Sequence, residues 1–307
     1  MNIQQLRYLC GVVDAKFSVS RAAEALHTSQ PGISKQIQML ERELGVDLLV
    51  RQGNRIMRLT PPGEEICTVA RRVLGDVENL KQIGEEYSNQ GKGRLVVATT
   101  HIHARYLLRP FIREIAKKYG DVSLELRQGD PSQIAKWVLS GEADIGFGAT
   151  FSDQHDNLLF SPCGQLSRSV FTLAGHPLLD AKKLTIEALS EYPLIILDTG
   201  FAGGRAVVEA FAAAEIEPNI VMTATDADVI KAYVEIGQGI AILPSVAHEP
   251  ERESHLRCIE ASHIFPPSTV YVVVQKGKYL RNFMHEFISM INPKWDRGAA
   301  NEVLYNK

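Results

Sequence analysis

The sequence is poor in cysteine, which excludes the architectures that depend on this residue. Only four of the 307 residues are cysteines, and no two of them form a CxxC pair. This spacing predicts neither a disulfide framework nor a zinc site, and it is typical of proteins from a reducing compartment. Long apolar runs are absent as well, since none approaches the roughly 18 residues that a membrane span needs. We therefore expect a cytoplasmic protein without a membrane partner.

Sequence signatures of catalysis are also missing. The chain has no GxSxG elbow, no HExxH helix, no GxxxxGK[ST] loop and no GxGxxG motif after a strand. We therefore predict no catalytic residues, no bound metal and no resident cofactor. An enzyme and a transport-type solute-binding protein stay open as alternatives at this point.

A strong net charge is lacking, but the charges that are present are unevenly distributed. The whole chain carries a formal net charge of −3, whereas residues 1–60 alone carry +3. A basic N-terminal stretch on an acidic body indicates that the N-terminal part contacts a polyanion.

Hydrophobic periodicity divides the chain into four stretches. Short amphipathic helices and a turn-rich basic segment occupy 1–62, and one long helical pattern follows at 63–90. From 91 to 292, strand-like and helical runs alternate, which is the signature of βαβ units on largely parallel sheets. The tail, 293–307, has little pattern. The predicted fold class is α/β, with small N-terminal helices, a linker helix and a larger domain of two α/β lobes.

Two short helices around a tight turn characterise the first stretch. Ser29 is a good N-cap for the second helix, and Pro31 fits its first turn, where no backbone N–H is needed. This second helix offers small polar side chains that suit the major groove of DNA. The basic segment RQGNRIMRL, with Gly53 and Asn54 at its tip, predicts a hairpin wing beside it. The alternative is a three-helix bundle that binds no DNA.

The long helical pattern has near-heptad spacing. Its apolar residues recur at steps of three and four, at Ile66, Val69, Val73, Val77, Leu80, Ile83 and Tyr87. This spacing favours a self-pairing coiled coil. Packing against the chain's own domains is the alternative.

Three places in the alternating region combine a strand end with a helix start or a turn, at 99–100, 148–150 and 199–204. Hydroxyls beside free helix N–H groups form an uncharged cradle for a small anion. Thr225 and Asp226 follow the same pattern, although Asp226 is also a good N-cap. His101 and His103 suggest a metal pair, but no carboxylate or cysteine lies near them in sequence to complete it.

The run from QQLRYL to TPPGEEI resembles the winged helix-turn-helix of LysR-type transcriptional regulators. Further on, ATTHIHARY and TATDADVIKAYVEIGQGIAILP resemble the CysB-like branch of that family. The resemblance covers about residues 1–292. It implies a ligand-responsive regulator of sulfur or organosulfur metabolism that binds double-stranded DNA at promoter half-sites. It also implies a bilobed, periplasmic-binding-protein-like effector domain, a homodimer held by the linker helix, and further assembly into a homotetramer.

The resemblance assigns roles by position. The implied DNA contacts are Gln30, Pro31, Ser34 and Lys35 in the groove, Thr28, Ser29 and Gln36 at phosphates, and Arg51 and Arg55 in the wing. The strand ends described above and the resemblance together give the expected effector contacts, which are Thr99, Thr100, His101, Ile102, His103, Ala149, Thr150, Phe201, Ala202, Gly203 and Thr225. Asn54 departs from the family, because a basic residue is common at this wing-tip position.

The effector positions predict a ligand with an apolar portion. Where the branch lines its anion pocket with threonines and a glutamine, this sequence has Thr100, Ile102, His103, Ala149 and Ala202. Only Thr100 keeps its hydroxyl, and His103 adds positive charge when it is protonated. We therefore predict a small organic anion as co-inducer, such as a sulfonate or carboxylate, in preference to sulfate or N-acetylserine.

Overall fold

A computed structural model of the chain describes residues 1–53, 55–88, 92–149, 151 and 155–298. It separates into two compact units, of which the first contains residues 1–88 with the short segment 277–279. Two positions named above, Asn54 and Thr150, lie outside the described residues. No helix in the described ranges is long and apolar enough to cross a membrane.

The first unit is a helix-turn-helix followed by a two-stranded wing and a long helix. Its elements are α1 (Ile3–Asp14), α2 (Val19–Ala25), α3 (Gln30–Leu44), β1 (Leu49–Gln52), β2 (Arg55–Leu59) and α4 (Pro61–Ser88). The predicted cap is confirmed, since the Ser29 side chain accepts a hydrogen bond from the N–H of Gly32 and Pro31 lies in the first turn. Gly45 ends α3 in the left-handed region at φ 71°, where glycine is favoured.

The long helix α4 has one packed face and one exposed face. It begins at Pro61, ahead of the predicted start of the linker at residue 63. Cys67 and Ala70 are buried against the core of the first unit. The exposed face carries apolar side chains from the near-heptad pattern, namely Val69, Val73, Leu80 and Tyr87.

The second unit contains two lobes, each built on a five-stranded mixed sheet. The first lobe uses β3 (Gly93–Thr99), β4 (Val122–Gln128), β5 (Ile145–Ala149), β6 (Leu158–Leu166) and β12 (Ser268–Gln275), in the order β4-β3-β5-β12-β6. The second lobe uses β7 (Arg168–Leu173), β8 (Leu194–Leu197), β9 (Ile220–Ala224), β10 (Ile240–Pro244) and β11 (Leu256–Glu260), in the order β11-β7-β10-β8-β9. The chain passes from the first lobe to the second after β6 and returns before β12.

The expectation of largely parallel sheets holds for three neighbouring strands in each lobe. These are β4, β3 and β5 in the first lobe and β10, β8 and β9 in the second. The other two strands of each sheet run antiparallel to their neighbours. Two of these antiparallel strands, β6 and β12, flank the places where the chain changes lobe.

Helices cover the parallel strands and position the candidate site. They are α5 (Arg109–Lys118), α6 (Pro131–Ser140), α7 (Ile186–Ser190), α8 (Ala202–Ala213), α9 (Ala227–Glu235) and α10 (Asn282–Ile291). The run ARYLLRPFIREIAKKY predicts one helix, but the structure divides it into a π-helical turn, His103–Leu107, and α5. Pro110 explains the division, because proline lacks a backbone N–H and suits the first turn of a new helix.

Candidate functional site

The start of α3 presents a polar surface. Gln30, Pro31 and Lys35 are exposed there and Ser34 is half-buried. The opposite face of the helix is almost fully buried through Ile33, Ile37 and Leu40. The helix therefore hides its apolar side and offers amide, hydroxyl and ammonium groups, which are the donors that read base edges and phosphates.

The three residues expected at phosphates have different surroundings. Ser29 accepts a hydrogen bond from the Gly32 N–H at 3.3 Å, which leaves its own hydroxyl hydrogen free to donate. The Tyr8 hydroxyl lies 3.3 Å from Oγ1 of Thr28. Gln36 is half-buried, and its Oε1 is buried without a hydrogen-bond partner in the described part of the chain. Because a phosphate oxygen accepts hydrogen bonds, the amide nitrogen of Gln36 is the atom suited to a phosphate contact.

Arg51 is held by an ion pair that no sequence motif indicated. Its guanidinium donates to both carboxylate oxygens of Glu41, at 3.1 and 2.8 Å. Glu41 is 7% exposed and also accepts from the backbone N–H groups of Leu48 and Leu49. This pair fastens the wing to α3 and gives Arg51 a positioning role, while its DNA contact stays a prediction. Arg55, by contrast, is exposed on β2 and forms no ion pair with any described residue.

The carboxyl end of β3 brings Thr100 and His103 together. Oγ1 of Thr100 lies 2.5 Å from Nδ1 of His103, and both side chains are buried. The His103 ring packs edge-on against Phe147, with ring centroids 5.4 Å apart. Burial lowers the pKa of His103 to about 4, so its imidazole is neutral at pH 7. The expectation that His103 supplies positive charge is therefore wrong near neutral pH.

Two buried polar atoms at this strand end have no hydrogen-bond partner among the described residues, Oγ1 of Thr99 and Nε2 of His103. An unpaired buried polar atom costs about 1–3 kcal/mol, and such atoms are rare in folded proteins. If the Thr100 hydroxyl donates to Nδ1, the neutral ring carries its hydrogen on Nε2 and can donate to an anionic oxygen. The site therefore offers uncharged hydrogen-bonding groups to a ligand.

Some of the remaining predicted effector residues pack in an apolar core, and others lie at a helix start or are exposed. Ile102 packs into an apolar cluster of the second lobe that also contains Leu197 and Phe201. Ala149 lies in the core of the first lobe. Ala202 and Gly203 begin α8, whose N-terminus has no side-chain cap. Thr225 is exposed just after β9.

His101 faces a different set of partners from His103. Its Nδ1 lies 2.8 Å from a carboxylate oxygen of Asp226, which also caps α9 as predicted. Nε of Arg105 lies 2.6 Å from Asp228, and Nη2 of Arg105 lies 3.0 Å from Glu249. These contacts join the turn after β3 in the first lobe to α9 and the loop after β10 in the second lobe.

Lys231 lies at the buried centre of this inter-lobe network. Only 3% of the side chain is exposed, and its Nζ lies 3.0 Å from Asp228, 2.8 Å from the Tyr106 hydroxyl and in contact with Glu253. Burial alone would lower the pKa of Lys231, but the hydrogen bonds to Glu253, Tyr106 and Asp228 outweigh it and raise the pKa. Lys231 and most of its partners are far apart along the chain, so no sequence pattern indicated this network.

In the folded chain, two carboxylates that are distant in sequence lie beside His101. His101, Asp226 and Asp228 offer ligand atoms that lie within 4.8 Å of one another. Both carboxylates are distant from His101 in sequence but close to it in space. Arg105 and Lys231 already neutralise Asp228, however, so we still expect no metal at this cluster.

A cavity of about 760 Å³ lies between the lobes beside the start of α8. Its polar lining includes Arg168 and Ser268, and its apolar lining includes Phe151, Ala202 and Tyr271. Arg168 is 3% exposed and donates to the carbonyls of residues 202 and 266 and to the Ser268 hydroxyl. Burial lowers the pKa of Arg168, and it forms no salt bridge with any described carboxylate. Cavities of about 300–1,000 Å³ commonly hold small ligands.

Comparison with family models divides the chain in two. Residues 3–64 match the bacterial regulatory helix-turn-helix of the LysR family, and residues 88–296 match the LysR substrate binding domain. The transcriptional regulator SsuR of Burkholderia cenocepacia is 41% identical over 293 residues, which cover 95% of each chain. CysB of the same organism is 39% identical and covers 99% of this chain and 97% of its own length.

Solved structures agree with this division. The cofactor-binding domain of the Cbl transcriptional regulator is 31% identical, with a TM-score of 0.67, and covers 71% of this chain and 96% of its own. Full-length CbnR, a structure in complex with its target DNA, covers 95% of this chain at 22% identity and a TM-score of 0.54. At that identity, the second likeness describes the fold alone.

Proposed function

Because the chain belongs to the LysR family of transcriptional regulators, we propose that it is an effector-controlled regulator of sulfur or organosulfur genes. In this proposal it binds promoter DNA in the cytoplasm and catalyses no reaction. The single observation that carries the proposal is the start of α3, where Gln30 and Lys35 are exposed above a fully apolar, buried face. The similarity to SsuR, CysB and Cbl regulators supports the sulfur assignment.

We infer that Gln30 reads a base edge and that Arg55 contacts the DNA backbone. Replacing Gln30 with Ala should relax the preference at one base pair by about 1–3 kcal/mol. Replacing Arg55 with Ala should weaken binding to all sequences alike and reduce the dependence on salt. Footprinting and gel shifts with the protein's own upstream region measure both effects, with Gln4→Ala, exposed on α1, as the matched control. An unchanged sequence preference in the Gln30 variant would contradict the proposed orientation of α3.

We infer that the effector binds between the lobes with its anionic end at β3. Thr99 and His103 carry the unpaired polar atoms that such a ligand would satisfy, while Ala202 presents carbon where a hydroxyl would favour sulfate. A small organic anion with an apolar portion fits this combination, because each missing hydrogen bond to a buried sulfate costs about 1–3 kcal/mol.

The ligand preference can be tested by calorimetry on the full chain. Sulfate, N-acetylserine, alkanesulfonates and carboxylates would be titrated into the wild-type protein and into Ala202→Thr. We expect organic anions to bind more tightly than sulfate and the Thr variant to gain affinity for sulfate. Ala212→Thr, at an exposed position of the same helix, is the control. Tight sulfate binding that Ala202→Thr leaves unchanged would contradict this account of the pocket.

We further propose that ligand binding is transmitted through the inter-lobe network and that α4 pairs two chains. His101 and His103 belong to the same turn, so a ligand that moves His103 also displaces His101 relative to Asp226. The exposed apolar face of α4 supports a homodimer, since large apolar side chains such as Leu80 are 68% exposed there. Assembly of dimers into a homotetramer follows the family pattern.

A further inference from the structure

One arginine is buried between the lobes without a carboxylate partner. Arg168, the first residue of β7, is 3% exposed and forms no salt bridge with any described carboxylate. A charge that leaves water is normally paired inside a protein, because its desolvation is costly. The burial of Arg168 therefore calls for a counter-ion that the described part of the chain does not supply.

The guanidinium of Arg168 is only partly hydrogen-bonded. Nη1 donates to the carbonyl of Pro266, and Nη2 donates to the Ser268 hydroxyl and, at 3.3 Å, to the carbonyl of Ala202. All three acceptors are uncharged. Nε is buried and has no partner among the described residues. These contacts use three of the five N–H groups of a guanidinium, so the group keeps capacity to bind an anion.

This guanidinium lies in the wall of the 760 Å³ cavity, which also contains two charged residues of α8. Arg205 is half-buried there, donates to the carbonyls of residues 199 and 200, and forms no salt bridge with any described carboxylate. Glu209 is exposed, so the cavity is open to solvent on the side of α8. With two guanidinium groups and one carboxylate, the wall favours an anion.

Most of the remaining wall is apolar. The rings of Phe151 and Phe160 pack together with their centroids 5.4 Å apart, and Tyr271 lies edge-on to Phe160 at 6.2 Å. On α8, the uncharged residues at the cavity are small, as at Ala206 and Ala210. A bare inorganic ion would leave this apolar surface uncovered, whereas an aromatic or similarly bulky group would pack against it.

The cavity differs from the ligand site proposed at the end of β3. Of the described effector positions, only Ala202 lies at the cavity wall, and its carbonyl already accepts a hydrogen bond from Arg168. Thr100 and His103, which hold the anionic end of the ligand in that proposal, are not among the described residues of the wall. The two sites can therefore be altered separately.

We propose that this cavity is a second ligand site, which binds an organic carboxylate with an aromatic or similarly bulky apolar body. The carboxylate pairs with the guanidinium of Arg168, with Arg205 adding positive charge, and the body packs against Phe160 and Tyr271. Carboxylates suit this role because they form charge-assisted hydrogen bonds with guanidinium groups. Phe160 and Tyr271 belong to strands of the first lobe and Arg168 to a strand of the second, so a bound ligand contacts both lobes.

Calorimetry on the full chain tests the site, with 4-phenylbutanoate as the probe and the neutral 4-phenylbutanamide as its matched control. We expect the wild type to bind the carboxylate about tenfold or more tightly than the amide. Ala206→Phe should fill the cavity and weaken carboxylate binding by a similar factor. Ala212→Phe, at an exposed position of the same helix outside the cavity, should match the wild type.

Charge variants give a second readout. Glu209→Gln should tighten binding of 4-phenylbutanoate several-fold, because it removes the carboxylate that repels the probe. Arg168→Gln should weaken it about tenfold or more. Since Arg168 also holds Pro266 and Ala202, thermal unfolding of this variant is measured alongside, and Ala206→Phe keeps these hydrogen bonds intact.

Thr100→Val distinguishes the cavity from the site at β3, and we expect it to leave binding of 4-phenylbutanoate unchanged. Loss of probe binding in Thr100→Val, with retention in Ala206→Phe, would overturn the proposal, because the probe would then lie at β3. Absence of binding to the wild type, or equal affinity for the carboxylate and the amide, would also overturn it. If the probe binds in the cavity while no sulfonate or carboxylate binding depends on Thr100, the effector site proposed at β3 fails and the second site stands.

Discussion

Burial of His103 makes the stability of the effector domain depend on pH in a calculable direction. The imidazole pKa is about 6.5 in an unfolded chain and about 4 in the folded protein, because the buried site disfavours the cation. Below pH 6.5 the unfolded chain therefore binds more protons than the folded one. The stabilisation is complete above pH 6.5 and is lost as the pH falls toward 4. At about 1.4 kcal/mol per pKa unit, the full loss is about 3 kcal/mol.

The substitution His103→Gln should remove this dependence. Glutamine is similar in length, keeps hydrogen-bonding groups near Thr100 and does not titrate in this range. Urea denaturation at several pH values between 7.5 and 4.5 would measure the free energy of unfolding of both proteins. We expect the wild type to lose about 2–3 kcal/mol more than the variant over this range.

A matched control separates His103 from the other titrating groups. His155→Gln changes an exposed histidine and should keep the wild-type pH slope. Calorimetry adds a second readout, because a neutral His103 cannot make anion binding tighten between pH 8 and pH 6. Equal slopes in the wild type and the His103 variant, or an affinity that rises through pH 6.5 only when His103 is present, would refute the reasoning.

Three further predictions concern the other polar and apolar contacts. Glu41→Gln should lower the free energy of unfolding by about 2–4 kcal/mol and speed amide hydrogen exchange in the wing. Glu43→Gln, at an exposed position, should change both quantities little. Lys231→Met should destabilise the second unit by about 3–5 kcal/mol in chemical denaturation, because the largely buried carboxylate of Glu253 loses the ammonium group that it contacts. Val73→Glu with Leu80→Glu should split the dimer, and an unchanged mass in light scattering would exclude pairing through α4.

Several features of the first unit could be predicted from the sequence, because they depend on local interactions. The cap at Ser29, the proline in the first turn of α3 and the hairpin around Gly53 each depend on a few neighbouring residues, and the structure has all three. The cap at Asp226 was foreseen for the same reason. Such features need no knowledge of distant contacts, because the side chain bonds to the backbone only two or three residues away.

Edge strands were harder to predict. No sequence pattern singled out β6 or β11, although each forms an edge of one sheet. Pro162 and Gly164 interrupt the apolar pattern of β6, and proline is tolerated there because the strand lies at the edge of its sheet. Position within a sheet is a tertiary property, so a short window cannot distinguish an edge strand from a loop.

Long-range pairing explains what was missed at the candidate site. Glu41 and Arg51 lie ten residues apart, and Arg105 lies more than a hundred residues from Asp228, so no spacing rule brings either pair together. The pKa of His103 was misjudged for a related reason. No residue next to His103 in the sequence indicates that its ring is buried. The burial that lowers the pKa comes from tertiary packing, which includes Phe147 on β5.

Neighbouring residues in the turn after β3 make contacts with different surroundings. Thr100 and His103 form the uncharged, buried contact, whereas His101 turns toward the carboxylates of α9 and Ile102 packs among apolar residues of the second lobe. A helical turn separates such directions by about 100° per residue, so residues three apart share one face and these four side chains reach three surroundings. A ligand at Thr100 therefore cannot reposition this turn without disturbing contacts in both lobes. That coupling is the physical reason for expecting an effector signal to begin here.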